Sequence, residues 1–197
     1  MKRTLIPLLA GILTLLPGEG ALAQRFGGDY GAAAGFWLLY LDTGVEPEES
    51  FGRDLGNVVA MGGRLFFQTG RVRLGGAFFG GSFANEGLNS DGFQVNGGLS
   101  AGGFTAEYLI YQQNLEVIVG GLVGGGTLNI EEQLAVSGDV ETLHRRRESV
   151  FLAYPWARIA YNPAPFVNAG LEFGYLIGTQ GVGGFGVGLD ILVGLIP

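Results

Sequence analysis

Residues 58–83 read VVAMGGRLFFQTGRVRLGGAFFGGSF, a stretch that two long strands folded back on a turn at Thr69, Gly70 and Arg71 account for completely. Side chains alternate along a strand, so Val59, Met61, Gly63, Leu65 and Phe67 share one face and Ala60, Gly62, Arg64 and Gln68 the other. Past the turn, Val72, Leu74, Gly76 and Phe78 oppose Arg71, Arg73, Gly75 and Ala77 in the same way. One face of the hairpin is apolar and the other mixes glycine with arginine. An apolar face needs a cover, and the chain offers no amphipathic helix to supply it. A lipid bilayer is one candidate.

The rest of the chain repeats this unit. Residues 31–41, GAAAGFWLLYL, form a first strand, followed by a long acidic loop over 42–57. After the 58–83 hairpin comes a shorter polar loop, 85–92, then a long strand over 93–112, a tight turn at Gln113 and Asn114, and a strand over 115–130. The charged run 131–148 reads as the longest loop. Strands over 150–161 and 166–178 flank a turn from Asn162 to Pro165, and a glycine-rich loop, 179–185, precedes the last strand, 186–197. Pro155 falls in mid-strand, where it removes a ladder hydrogen bond, and predicts a bulge. Eight strands result, with connections that alternate long, tight, medium, tight, long, tight, medium. Sorting of tight turns to one end and longer loops to the other is the pattern of a transmembrane barrel, and a Greek-key sandwich has no reason to show it. No segment after the amino-terminal region has the unbroken apolar run of a membrane helix, and closed barrels are the other way to satisfy backbone groups inside lipid.

Composition narrows the chemistry. Cysteine is absent and histidine is limited to His144, which excludes disulfides, thiolate nucleophiles and histidine-rich metal clusters. Glycine is abundant, at 38 of 197 residues, without a Gly-X-Y period; a narrow eight-stranded interior gives it a purpose. Lys2 and Arg3, the apolar run Leu5–Leu16 and the small-x-small triplet Ala21-Leu22-Ala23 read as a signal peptide over 1–23, leaving 24–197 as a single barrel domain. The apolar run is shorter than the roughly 20 residues a membrane anchor needs, and no cysteine follows it for lipidation. Cleavage there removes Lys2, Arg3 and Glu19 from totals of 11 basic and 18 acidic residues, so the exported chain carries nine arginines, 17 acids and a net charge of −8. That balance offers nucleic acid no phosphate-neutralising surface.

With signal peptide, strand count, alternation and loop order in place, the chain resembles the small eight-stranded outer-membrane barrels of the OmpA and OmpX type. The resemblance covers nearly the whole exported chain and rests on architecture, not on a family motif. It implies an all-β, eight-stranded, antiparallel up-and-down transmembrane β-barrel in the cell outer membrane, inserted by the barrel-assembly machinery. Such proteins commonly end on an aromatic residue; this chain ends Leu195-Ile196-Pro197.

Within that frame, Arg64, Arg73 and Arg158 point inward, as do Glu107, Glu116, Glu172 and Asp190, and opposite charges in a narrow lumen should pair. The functional alternative is a small pore in which pairs exchange. Tyr40 and Tyr175 near one set of strand ends, and Tyr111 and Tyr161 near the other, suit two interfacial girdles. The run Arg145-Arg146-Arg147 either pairs with Glu131, Glu132, Asp139, Glu141 and Glu148 or holds lipid or lipopolysaccharide phosphates at the outer leaflet. Lipid-modifying enzymes exist on similar barrels, but His144, Glu148 and Ser149 adjoin one another on an extended strand, where successive residues face opposite sides. The GxGxxG match at 181–186 lacks a following helix, and the acidic loop around Glu46, Glu48 and Glu49 lacks the spacing of a calcium loop. Metal sites and cofactors are not expected.

The expectation is therefore a non-enzymatic barrel with a closed, charge-paired lumen and a structural or surface-interaction role. Its alternative is a secreted, soluble all-β surface or filament subunit whose apolar faces meet between sheets or subunits. Amino-terminal sequencing of the exported protein is expected to start at Gln24; a chain beginning at Met1 in the envelope fraction would overturn the leader assignment.

Overall fold

The computed structural model describes residues 30–43, 56–84, 87–88, 93–136 and 139–196, and the leader and the acidic loop around Glu46, Glu48 and Glu49 lie outside them. Nine strands run in chain order: β1 (Tyr30–Leu41), β2 (Val58–Thr69), β3 (Val72–Phe83), β4 (Gly87–Leu88), β5 (Gln94–Gln112), β6 (Leu115–Val136), β7 (Asp139–Ala164), β8 (Val167–Gly178) and β9 (Gly183–Leu195). Every pairing is antiparallel. Each large strand bonds its neighbours in the chain, β3 pairs with β5, and β1 pairs with β9, so eight strands close into a barrel while the two-residue β4 extends the edge of β5. The described residues contain no helix.

Alternation decides which residues face in. Along β2 the order Val58 to Thr69 runs buried and exposed in strict turn except at the paired glycines Gly62 and Gly63, and β9 behaves likewise. The turn residues 70 and 71, 113 and 114, and 165 and 166 gather at one end with Tyr30 and Leu195; Gly70 there adopts a φ of +56°, a conformation glycine takes without strain. The carboxyl ends of β1, β3, β6 and β8 lie at the other.

Two expectations are corrected. Residues 131–148 are not a loop: β6 runs 22 residues and β7 26, against 12 in β1, β2, β3 and β8, and their hairpin rises beyond the barrel rim. Gln94–Asn96 of β5 still pair with Gln133–Glu131, and Glu132 is buried at 4% exposure, so the strand continues with charged residues in the places of apolar ones and its charge alone imitates a loop. Pro155 does not produce a bulge either. The β7–β8 ladder lapses at Tyr154 and Pro155 and resumes at Trp156 opposite Gly174 in the same register. The missing N–H costs rungs without inserting a residue. Register shifts fall instead between Leu109 and Tyr111, between Glu132 and Gln133, and between Tyr161 and Ala164, the last containing Pro163.

The loop-end half of the interior is filled by Trp37, Leu39, Phe79, Leu122, Tyr154, Trp156 and their neighbours, and a smaller cluster of Ala33, Phe66 and Leu192 lies toward the turn end. Trp37 and Tyr154 have ring centroids 6.1 Å apart, and Trp37 meets Phe79 edge-on at 5.7 Å. Glycines make room for this cluster: a Cβ on Gly186 would fall 2.6 Å from the Tyr154 hydroxyl oxygen, and one on Gly174 2.5 Å from Tyr154 Cζ. Gly186→Val should therefore destabilise the folded protein by about 1–3 kcal/mol through overpacking. Urea unfolding in lipid vesicles checks this, with Tyr154→Ala expected to recover part of the loss.

Candidate functional site

Between the two apolar clusters the barrel carries a buried layer of charge. Inward parity puts Arg64 on β2, Arg73 on β3, Glu107 on β5, Glu116 on β6, Arg158 on β7, Glu172 on β8 and Asp190 on β9 into this space, each under 9% exposed. Arg64 reaches Glu172 at 2.6 Å, Asp190 at 3.0 Å and Glu107 at 3.6 Å. Its guanidinium lies 4.3 Å from the Trp37 ring centre and 4.9 Å from that of Trp156, a cation–π arrangement that desolvation strengthens. The Trp156 indole N–H donates to Glu107 at 3.2 Å. Arg158 donates to both Asp190 oxygens and to Asn168.

A second group sits nearer the tight turns. One Arg73 nitrogen donates to both Glu116 oxygens at 2.9 Å, its Nε donates to Gln68 at 2.7 Å, and its guanidinium stands 4.4 Å from the Phe66 ring centre. Asn168 donates to Glu116 at 3.0 Å and to Asn162 at 2.6 Å, and Gln68 donates to the Gly70 carbonyl at 2.9 Å. Directly opposed residues are not the partners chosen. Arg158 lies across the ladder from Glu172 and Arg73 from Glu107, yet the ion pairs formed are Arg158 with Asp190 and Arg73 with Glu116. The pairs bridge strands that do not touch, so they tie separate parts of the wall together.

Alternation finds the charged members and Gln68; it also places Asn168, Trp37, Tyr154 and Trp156 here, which sequence reasoning passed over, and the structure adds Asn162. Trp156 and Tyr154 share the parity of Arg158, which was signal enough. Asn162 lies past the regular part of its strand, where parity says little.

At the loop end, Arg145 pairs with Glu131 at 3.0 Å and Arg146 with Glu148 at 2.9 Å, while Arg147, on the outer face opposite Asn129, makes no ion pair among the described residues. His144 lies in β7 opposite Glu132, and Ser149 and Glu148 oppose Thr127 and Leu128 on β6. Tyr40 and Tyr175 at the loop end and Tyr111 and Tyr161 at the turn end are all 44–55% exposed, and the outward Tyr30 and Tyr108 join the turn-end set. Tyr40 accepts a hydrogen bond from Asn57, and Tyr175 meets Phe185 edge-on with centroids 5.0 Å apart. Among the described residues no group of His, Asp or Glu is arranged to hold a metal ion.

The chain is thus a closed eight-stranded antiparallel β-barrel, apolar outside, with aromatic and charged layers filling its interior. No protein-family model matches it, and no curated protein matches it in sequence. Among solved structures it is similar to Ail, the attachment invasion locus protein of Yersinia pestis, crystallised with the heparin analogue sucrose octasulfate, at 12% identity over 83% of this chain and 97% of that one, with a TM-score of 0.48. It is also similar to Neisserial surface protein A, at 10% identity over 83% and 96% of the two chains, TM-score 0.48. The amino-terminal β-barrel domain of Pseudomonas aeruginosa OprF is similar at 16% identity over 85% and 98%, also with a TM-score of 0.48.

Removing one partner of a buried pair strands the other's charge, whereas removing both need not. Arg73→Met is expected to lower stability by about 3–5 kcal/mol, and Arg73→Met with Glu116→Leu to restore much of it; denaturant titration of the three folded proteins checks both steps.

Proposed function

We propose that this protein is an outer-membrane barrel with a structural or surface-interaction role, a plugged lumen held by its ion pairs, and no catalytic activity. The observation that carries the reading is the exterior. Phe36, Met61, Phe67, Phe78, Phe104, Phe151, Phe173 and Phe185 are each more than half exposed, and outward apolar residues recur on every one of the eight barrel strands. On β7 the outward run from Phe151 to Tyr161 spans about 33 Å along the strand, or about 25 Å in height at a barrel's usual tilt, the depth of an outer-membrane apolar band. Water would oppose so large a continuous apolar surface, and hydrocarbon would not.

Orientation follows from the connections: tight turns toward the periplasm, the β6–β7 hairpin and the other loop-end connections outside. Lipopolysaccharide or another outer-leaflet lipid is the natural partner of Arg147 at the loop end, since Arg145 and Arg146 pair with Glu131 and Glu148, and assembly proceeds through the barrel-assembly machinery. The lumen reading is supported by its filling, since a pore would need the Arg64, Arg73 and Arg158 pairs and the Trp37 cluster displaced together. The soluble alternative requires every strand's outer face to be buried against other subunits.

Membrane-extracted protein run on SDS gels should migrate differently before and after boiling, because a closed ladder survives cold detergent. The same mobility in both lanes, with the protein in the soluble fraction, would favour the secreted subunit. Leu74→Arg and Leu171→Arg, on the outer face, should each cost about 2–4 kcal/mol of insertion free energy near the midplane. Unchanged insertion of both in a vesicle-folding assay would remove the lipid-face assignment.

A further inference from the structure

The outer wall is uneven in one place. On β3, β5 and β6, where other strands carry large outward side chains, Gly80 lies opposite Ser100, and Gly102 lies between Phe78 and Gly125. The result is an open groove of about 350 Å³, lined by Phe78, Phe79, Ser100, Ala101, Gly102 and Gly125 among others. Phe151 adjoins Gly125 on the next strand, and Phe78 and Phe151 are 65% and 60% exposed.

Its height on the barrel gives the groove meaning. Along β6 the outward residues run Val119, Gly121, Val123, Gly125 and then change to Thr127, Asn129 and Glu131; along β7 they change after Phe151 to Ser149, Arg147 and Arg145. The groove therefore opens at the upper border of the apolar band. Arg147 stands four residues beyond Phe151, about 13 Å along the strand and about 10 Å in height, a separation that its long stem shortens without closing and that a lipid with a headgroup above its chains would span. Its two neighbours in the triplet are occupied by Glu131 and Glu148, which leaves Arg147, among the described residues of this triplet, as the cation without an ion pair and able to meet an anion from outside.

We infer that this part of the wall is a binding site for one anionic lipid of the outer leaflet, a phosphorylated glycolipid of the lipopolysaccharide kind, with an acyl chain in the Gly102–Gly125 groove and a phosphate on Arg147. The inference rests on the membrane reading above and adds the ligand's class and seat. A chain methylene fits a wall lowered to backbone, and a guanidinium matches a phosphate's paired oxygens. The site selects for lipids that bring both parts at once. Ser149 and Thr127, paired across the ladder between groove and arginine, supply hydroxyls at the depth where a lipid's ester or amide carbonyls lie.

The test uses the full exported chain folded in micelles, with lipid retention read by native mass spectrometry. The probes are bis-phosphorylated lipid A, the same lipid with its phosphates removed, and phosphatidylethanolamine. Wild type is expected to retain bis-phosphorylated lipid A over both others. Arg147→Gln should weaken retention at least about tenfold, the loss of a charge-assisted contact. Gly125→Leu should fill the groove with a similar effect; a Cβ there meets nothing closer than the Val150 carbonyl at 3.4 Å, so the backbone need not move. Arg71→Gln, at the turn end, should bind as wild type. Equal retention by wild type, Arg147→Gln and Gly125→Leu in protein that still shows the heat-dependent gel shift would overturn the site and leave the barrel reading intact. A wild-type dimer that Gly125→Leu abolishes, with lipid retention unchanged, would overturn it in favour of a second copy in the groove. A wild-type chain that never enters micelles or bilayers would overturn both readings together.

Discussion

Closure is the constraint on which the structure depends. A sheet that bonds its last strand to its first leaves no unpaired edge along the barrel, and with eight strands it encloses little more than side chains. Every inward position must then be small, aromatic and packed, or charged and matched. Glycine at 174 and 186 meets the first demand beside the Tyr154 ring, Trp37 and Trp156 the second, and Arg64 with its three carboxylates the third. Outside, the same alternation leaves apolar side chains facing away from the only core the chain can build. The membrane assignment and the filled interior are thus two results of one period-two pattern.

Most of the barrel was legible because that pattern is rigid. Once Val59 and Phe67 were read as outward, Arg64 had to point in, and the same parity placed Arg73, Glu107, Glu116, Arg158, Glu172 and Asp190. Partner choice was not legible. Arg64 on β2 and Glu172 on β8 meet only because the wall curves, and curvature leaves no trace in local sequence. The interior aromatics were overlooked for a related reason: in a membrane barrel an apolar side chain suits either face, so hydrophobicity no longer distinguishes inside from outside. Trp156 and Tyr154 could be assigned only by their spacing from Arg158.

The two misreadings have physical causes as well. In the β6–β7 hairpin charged residues take both faces, with Glu132 buried and Arg145 and Arg147 exposed, so Glu131, Glu132 and the arginine triplet look like loop residues although they are hydrogen-bonded strand. At Pro155 a bulge was expected because a proline breaks a rung. The strand keeps its register instead, since Pro155 faces outward and its flanking residues Tyr154 and Trp156 are fixed by the interior aromatic cluster. An inserted residue would have turned one of them out of that cluster.

The lapse at Pro155 makes the wall mechanically uneven. From β5 through β7 the ladders are the longest in the molecule, whereas β7–β8, interrupted at Tyr154 and Pro155, has the fewest rungs of any junction in the ring. A cylinder built this way is stiff on one side and compliant along a single meridian. In the bilayer proposed above, lateral pressure would concentrate its strain there, between the two strands that also carry Arg158 and Glu172, so the seam of the barrel and its charged interior share one location.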